Sequence, residues 1–134
     1  MIVVDTNVIG YLYLTSKHSN QAEQVLVKEP GWAAPLLWRS EFRNVLALYI
    51  RKGLLSVQEA LQIMDEALTL MQGREYEVAS LSVLGLMAGS TCSAYDCEFV
   101  ALAQDLEVPL VSVDRQVLEQ FPETAVSLEQ FVAA

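Results

Sequence analysis

The sequence predicts an α/β fold in which a mostly parallel sheet is covered by helices on both faces. Short runs of apolar, β-forming residues alternate along the chain with longer segments that have helical spacing. Strands that are apolar on both sides belong in a sheet that is buried on both faces, and parallel neighbours need long crossovers, usually helices. The length of 134 residues suits one domain, so residues 1–134 are expected to fold as a single unit.

Five runs predict the strands. They are Ile2–Val4, Trp32–Ala34, Glu75–Ala79, Pro109–Val113 and Ala125–Ser127. In parallel α/β sheets, ligands bind beyond the carboxyl ends of the strands, at the point where the winding of the chain reverses. Residues that directly follow a strand are therefore the first candidates for a functional site.

Helical spacing predicts most of the intervening segments. In Ser56–Met71, apolar residues recur with a period of 3.6 and line one face. The segment before it has a similar face and ends at Arg51-Lys52-Gly53, where basic side chains favour the helix dipole and glycine can take the left-handed cap. Further helices are expected over Asn20–Lys28, Cys97–Asp105 and Arg115–Phe121.

The charge balance argues against a protein that holds nucleic acid through a general basic coat. The formal net charge is -9 and the pI is near 4.4, whereas phosphate binding usually recruits Lys and Arg. A local basic strip is still compatible with this total, because one predicted helix carries Arg39, Arg43, Arg51 and Lys52.

The chain shows no sign of a membrane or secreted protein. The uncharged stretch Val78–Tyr95 approaches the length of a membrane span, but glycines and small polar residues interrupt it. It is expected to form a buried strand and helix followed by a turn. The start at Met1 has neither a basic lead nor a long apolar region, so a cytoplasmic protein is expected.

The few sulfur and imidazole groups predict no zinc site. Cys92 and Cys97 lack the further cysteines or histidines that zinc would need, and reduced thiols packed near a helix start are expected. The single histidine, His18, lies in a polar, loop-like stretch and is expected to be a solvated surface residue.

Two aspartates directly follow predicted strands. Asp5 comes after Ile2–Val4, and Asp114 comes after Pro109–Val113. Both carboxylates are therefore expected at the same edge of the sheet. An aspartate in such a position often caps the next helix, and for each residue alone capping remains the competing interpretation.

Two further acids favour a functional site. Glu41 precedes Phe42 at the start of an apolar helix face, which turns a carboxylate toward the domain, and Asp96 lies early in a helix, where its other possible role is to complement the helix N-terminus. If the four acids meet, repulsion raises their pKa values and costs stability unless a cation neutralises them. Such oxygen ligands suit Mg²⁺ or Mn²⁺ and a phosphodiester substrate, which a metal-activated water would cleave.

Each of these acids stands in a short motif. The motifs occupy residues 2–7, 39–46, 95–103 and 110–114. In their order and spacing they resemble the PIN-domain ribonucleases, and more narrowly the VapC-type toxins of toxin–antitoxin pairs. The resemblance spans nearly the whole chain.

The resemblance implies a three-layer α/β/α domain with a five-stranded parallel sheet, which binds Mg²⁺ or Mn²⁺ and cleaves RNA internally. On this basis, Asp5 and Asp96 are the principal metal ligands. Glu41 and Asp114 would complete the site or act through water. All four acids of the family pattern are present in this sequence.

The same resemblance implies further residues and partners. Thr6, Asn7 and Ser112 occupy positions at which the family often orients the acids or the water. A homodimer is implied, together with an antitoxin protein that covers a helix-lined groove near the site and often places a basic side chain among the carboxylates. Residues 11–14 and Trp38 are candidates for apolar contacts with that partner, and core packing is the alternative for these side chains.

Three other interpretations have to be distinguished. A phosphatase of the haloacid-dehalogenase type also begins with a strand that ends in aspartate, but it usually has a second aspartate where Asn7 stands here. A phosphoacceptor receiver domain expects a lysine after the last core strand, where Asp114-Arg115 is found. A PIN-like module that binds RNA or a partner without cleaving it differs from the enzyme only in activity.

Overall fold

The computed structural model describes residues 1–134 and confirms the α/β class, with all strands parallel and the sheet inside a three-layer α/β/α sandwich. The strands are β1 (Ile2–Val4), β2 (Trp32–Pro35), β3 (Glu75–Tyr76), β4 (Leu110–Val111) and β5 (Ala125–Val126). The helices are α1 (Thr6–Tyr13), α2 (Ser19–Lys28), α3 (Leu37–Arg51), α4 (Val57–Met71), α5 (Ser80–Ala88), α6 (Ala94–Leu106), α7 (Arg115–Gln120) and α8 (Leu128–Ala133).

β1 occupies the centre of the sheet, whose order is β3-β2-β1-β4-β5. Val3 pairs with Ala33 of β2 on one side and with Leu110 of β4 on the other. The chain first winds from β1 out to β3 and then crosses to β4 and β5, so the winding reverses between β1 and β4. The crevice in which such sheets bind ligands therefore lies beyond the carboxyl ends of these two strands.

Burial on both faces of the sheet explains the apolar strands. Every residue of β1 and β2 is buried, and Val3 and Val4 have no exposed surface. A polar side chain there would lose water without gaining a partner. Trp38 and Phe42 of α3 are also fully buried, which leaves Trp38 no surface for contact with a partner protein.

The uncharged stretch 78–95 differs from the prediction, because it contains no strand and its helix is largely exposed. Along α5, Leu81 is 87% exposed, Leu84 is 55% exposed and Met87 is 38% exposed, and only Val83 is buried. None of the helices combines the length and the hydropathy that crossing a bilayer requires. Cys92 and Cys97, near the start of α6, are free and buried, as expected.

Helix caps account for the other differences. The predicted strand Ala125–Ser127 is shorter, because Ser127 forms a capping box with Gln130 that starts α8, a helix that the sequence analysis did not identify. α6 begins at Ala94, three residues earlier than predicted, because Ser93 Oγ accepts the backbone N–H of Asp96. These serines shift element boundaries without changing the topology.

An ion pair joins the start of α3 to the edge strand β3. Glu75 accepts hydrogen bonds from Arg39 Nε and Nη2, both at 2.6 Å, and from Trp38 Nε1 at 2.7 Å. The Glu75 side chain is 12% exposed, and the Arg39 guanidinium lowers its pKa. The contact fixes the helix turn that leads to Glu41. Because Arg39 is paired, the predicted basic strip has less free positive charge than its sequence indicates.

Replacing Glu75 tests this anchor. Glu75→Ala should lower the free energy of unfolding by about 1–3 kcal/mol, because it removes the acceptor of Arg39 and of the buried Trp38 indole. Glu119→Ala is the matched control, since its carboxylate is exposed and lies 3.7 Å from Arg115, and it should leave stability nearly unchanged. Urea unfolding measures both variants, and equal losses would contradict the anchoring role.

Candidate active site

A pocket with a volume of about 260 Å³ opens beyond the carboxyl ends of β1 and β4. It lies where the strand order places the ligand crevice. The residues singled out from the sequence all line it: Asp5, Thr6, Asn7, Glu41, Asp96, Ser112 and Asp114. The structure therefore brings together side chains that are up to 109 positions apart, from Asp5 to Asp114.

Asp5 is the most constrained of the acids. Its Oδ1 accepts the backbone N–H of Val8 at 3.1 Å, so it caps α1 as the competing interpretation expected. Its Oδ2 accepts the hydroxyl of Ser112 at 2.5 Å and the backbone N–H of Val113 at 3.2 Å. Although these bonds favour the carboxylate, the surrounding protein desolvates it more strongly, and burial raises the pKa of Asp5 to about 6.

Ser112 links the two strand ends. It is 1% exposed, and while its hydroxyl donates to Asp5, its oxygen accepts the backbone N–H of Asp114 at 3.0 Å. One buried hydroxyl thus ties the residue after β1 to the loop after β4. A hydrogen-bonded polar group in this core position keeps Asp5 in one orientation.

Asp114 combines a cap with a place in the pocket. Its Oδ1 accepts the backbone N–H of Val117 at 3.0 Å and caps α7. The same side chain lines the pocket, and its negative charge contributes to raising the pKa of Asp5. Capping and a role in the site are therefore compatible for both Asp5 and Asp114, since each carboxylate has further lone pairs available.

Glu41 enters the pocket from α3. Thr6, which is 7% exposed, donates its hydroxyl to Glu41 Oε1 at 2.7 Å. Burial and the charge of Asp96 raise the pKa of Glu41. As the sequence predicts, the Glu41 carboxylate turns toward the domain. The side chain is half-buried, and Thr6 holds one of its two oxygens. Asn7, on the exposed side of α1, lines the same opening.

Asp96 approaches from the first turn of α6. Its backbone N–H is used by the Ser93 cap, and the helix N-terminus faces the pocket side. Desolvation and the charge of Asp114 raise its pKa. The aspartate therefore lies among like charges as well as at a helix start, which is more than capping alone would explain.

Five lining residues were not singled out as site residues from the sequence, and two of them lie on the helix faces that carry predicted acids. Asn44 and Phe99 also border the pocket. Each follows a predicted acid by three positions, Asn44 after Glu41 and Phe99 after Asp96, so both lie on the helix face that carries that acid. This spacing is the signal that would have found them.

The four acids repel one another, and no basic side chain offsets this repulsion. The pKa of Asp5 and that of Asp96 are both raised by Asp114, and the pKa of Glu41 is raised by Asp96. The ion pairs of the chain lie elsewhere, at Glu29, Glu75 and Glu119. A group of half-buried, mutually repelling carboxylates is unfavourable by itself and creates a demand for positive charge.

The donor set suits a hard divalent cation. Carboxylate and hydroxyl oxygens are ligands that Mg²⁺ and Mn²⁺ prefer, and no histidine or cysteine lines the pocket. As the side chains stand, no three acidic, histidine or cysteine groups are arranged as a complete protein-ligand set for a metal ion. Mg²⁺ commonly keeps several waters and uses only one or two carboxylates, and a pocket of about 260 Å³ has room for such an ion.

Comparisons with known proteins agree with this geometry. Residues 2–124 match the family model of the PIN domain. The chain is 29% identical over 124 residues to Ribonuclease VapC3 of Pyrobaculum aerophilum, and the match covers 90% of this chain and 95% of that protein. It resembles the crystal structure of PAE2754 from Pyrobaculum aerophilum, with a TM-score of 0.75 and 20% identity over 98% of this chain and 93% of that one. A toxin–antitoxin complex from Klebsiella pneumoniae has a TM-score of 0.71 and 17% identity over 96% of this chain and 98% of that one.

The raised pKa of Asp5 predicts how the metal-free protein responds to pH. The value is about 6 in the folded chain and 3.8 in a free aspartate. Between these values the folded state holds the proton more tightly, so stability falls as the pH rises from 4 toward 7. Asp5→Asn removes this titration, and its stability relative to wild type should therefore increase over that range by up to about 3 kcal/mol.

Urea unfolding in the presence of a chelator measures the difference at each pH. Asp105→Asn, an exposed aspartate at the far end of α6, is the control and should follow wild type throughout. A difference between Asp5→Asn and wild type that stays constant with pH would show that Asp5 is not buried as described.

Proposed function

This chain belongs to the PIN domain family, and on that premise we propose that it is a metal-dependent endoribonuclease, the toxin of a toxin–antitoxin pair. The observation that supports this most is the group of four carboxylates, which meet at the reversal of the winding and have no basic partner in the chain. The relative with 29% identity is named a ribonuclease and is covered along nearly its whole length, which supports RNA as the substrate.

In the proposed site, Asp5 and Asp96 are the principal ligands of Mg²⁺ or Mn²⁺, and Glu41 and Asp114 complete it directly or through water. When bound, such a cation would lower the pKa of an attacking water and supply positive charge to the phosphoryl oxygens. Its charge would also favour the ionised forms of Asp5, Glu41 and Asp96, whose pKa values are raised mainly by burial and further by repulsion.

The chain itself orients these groups. Ser112 and the backbone N–H of Val113 hold Asp5 Oδ2, while Thr6 holds Glu41 Oε1 and leaves Oε2 available for a ligand or a proton. Asn7 lies at the opening, where its amide can contact a phosphate or a base. Because the side chains are held before substrate binds, little reorganisation is needed during the reaction.

A helical groove is the proposed site for an antitoxin. Between α3 and α4, apolar side chains line a depression of about 200 Å³, and Val57 and Leu61 along it are 60% and 61% exposed. An amphipathic helix fits such a groove by placing apolar residues every three or four positions. A solved relative is a toxin–antitoxin complex, which supports this kind of partner. A short reading frame directly upstream of the gene would favour a toxin over a processing nuclease.

The exposed face of α5 is the proposed homodimer interface. Leu81, Leu84 and Met87 are exposed at three-residue spacing, and the chain has no charged residue from Val78 to Tyr95. A contiguous apolar face of this kind is unusual on a monomer and indicates an interaction surface. A second copy is its proposed occupant, because a twofold interface pairs one patch with itself.

Cleavage assays test the nuclease proposal. The purified protein should cut single-stranded RNA only when Mg²⁺ or Mn²⁺ is present, and Asp96→Asn should reduce the rate by at least about 100-fold while the fold is retained. Asp105→Asn on the same helix should keep wild-type activity. Gel analysis of end-labelled RNA measures the rates, and circular dichroism checks the fold.

Two results would contradict the proposal. Cutting that persists in a chelator would exclude the metal-dependent mechanism. A folded protein that binds RNA but never cuts it would instead support the non-cleaving module.

Introducing negative charge on the exposed face of α5 tests the proposed dimer interface. Leu81→Glu combined with Leu84→Glu should convert a dimer to a monomer, because a twofold interface would bury each new carboxylate near its own copy. Val27→Glu introduces the same charge at a site on α2 that is 85% exposed, and this control should remain dimeric. Light scattering coupled to gel filtration measures the mass. A wild-type monomer, or a dimer that tolerates both glutamates, would rule out this interface.

A further inference from the structure

The only histidine of the chain is paired with an aromatic side chain. The rings of His18 and Tyr11 are 4.8 Å apart between centroids and tilted by 39°. Both residues are partly buried, so His18 lies at the surface, as expected, but the Tyr11 ring covers part of it. Each of the two side chains keeps part of its surface exposed to solvent.

The position of Tyr11 on α1 directs this pair toward the acidic pocket. The helix starts at Asp5, Asn7 lines the pocket, and Tyr11 follows Asn7 by four positions on the same face. Side chains on a helix lean toward its N-terminus, so the Tyr11 ring covers the turn that leads back to Asn7. In agreement with this, the Asp5 charge contributes to raising the pKa of the Tyr11 hydroxyl.

The fold makes little use of the His18 side chain. His18 is the N-cap residue of α2, but no side-chain hydrogen bond caps that helix. His18 makes its local hydrogen bond through the backbone instead, because its N–H donates to Ser16 Oγ at 3.1 Å. Histidine is therefore not needed here for the cap that Ser or Asp would usually provide.

The segment around this pair is one route by which a polyanion can approach the acidic pocket. Between Asp5 and Glu23 the sequence has no carboxylate side chain, and it has one lysine, Lys17, directly before His18. By contrast, α6 carries Asp96 in the pocket and Glu98 two residues later, and burial together with the charge of Glu41 raises the pKa of Glu98. In a chain with a net charge of -9, α1 and the loop after it repel RNA less than the acidic segments beside the pocket do.

We propose that Tyr11 and His18 form a stacking platform for a nucleobase of the RNA that lies next to the phosphate held in the acidic pocket. The inference rests on the proposed ribonuclease function and adds a base-binding subsite to it. Stacking on aromatic side chains binds unpaired bases with little dependence on sequence and requires no positive charge. Lys17, which is exposed and directly precedes His18, is the proposed contact for a phosphate of the same strand.

Fluorescence of RNA that contains 2-aminopurine tests the subsite. The experiment uses Asp96→Asn protein with Mg²⁺, so that the RNA is bound and not cut, and short single-stranded RNAs with the probe at successive positions. Stacking should quench the probe at one position. His18→Ala and Tyr11→Ala should each remove the quench and weaken binding roughly 5- to 100-fold, as expected for the loss of one stacked base.

Further variants distinguish a loss of base stacking from a loss of stability of the folded protein. Tyr11→Phe keeps an aromatic ring and should retain the quench, whereas Tyr11→Ala also removes packing against the core. His18→Ala removes no cap and should fold normally. In the background with intact acids, His18→Ala should raise KM much more than it lowers kcat, because the platform binds RNA and does not touch the reacting phosphate.

Tyr95, which is 63% exposed and precedes Asp96, is the competing platform. Tyr95→Ala should leave the quench intact. If Tyr95→Ala abolishes the quench while the Tyr11 and His18 variants keep it, or if no probe position is quenched although the RNA binds, the proposed subsite is refuted. RNA that binds and is quenched at this platform but is never cut would uphold the subsite and count against the nuclease function alone.

Discussion

The hydrogen bond from Ser112 to Asp5 is the contact on which the proposed site depends. It joins the residue that follows β1 to the segment that follows β4, across the point where the winding of the chain reverses. The same hydroxyl accepts the backbone N–H of Asp114, so one buried serine sets two of the four carboxylates relative to each other. Because both aspartates also cap helices, α1 and α7 are fixed to the same centre. A change at Ser112 would therefore disturb the sheet edge and two helix starts together.

The four acids show how a fold can hold an unfavourable group in place. Burial raises the pKa of Asp5 to about 6, and burial together with repulsion among the acids raises the pKa of Glu41 and Asp96 as well. Stability for this arrangement comes from elsewhere, including the apolar core under β1 and the clamp between Glu75 and Arg39. A cation that binds the folded chain alone would recover part of that cost by mass action.

The sequence was sufficient for the sheet and for Asp5 and Asp114, because buried parallel strands leave a strong apolar signal and end at a common edge. Glu41 and Asp96 were placed chiefly by motif order, since a helix surface offers many positions for an acid. The exposure of α5 was not predictable from its composition, because a helix that packs on the core of its own domain and a helix that packs on another protein are both apolar. The pairing of His18 with Tyr11 joins two elements, and its loop composition gave no sign of that contact.

Under the proposed function, an acidic pocket in an acidic chain would have to bind a polyanion, and negative charge conflicts with that binding unless the two are separated in space. Negative charge is concentrated at the pocket, which is lined by Glu41 of α3, Asp96 of α6 and Asp114 at the start of α7. The chain from Thr6 to Ala22, by contrast, contains no carboxylate side chain. Affinity for RNA can then come from the cation at the pocket and from uncharged contacts along α1. Such a division would make binding depend strongly on the divalent ion and only weakly on monovalent salt, because few lysine and arginine side chains would release counterions from the phosphates. The low basic content of the chain, which at first argued against nucleic acid, would then mean that RNA is held mainly through the cation and through uncharged contacts.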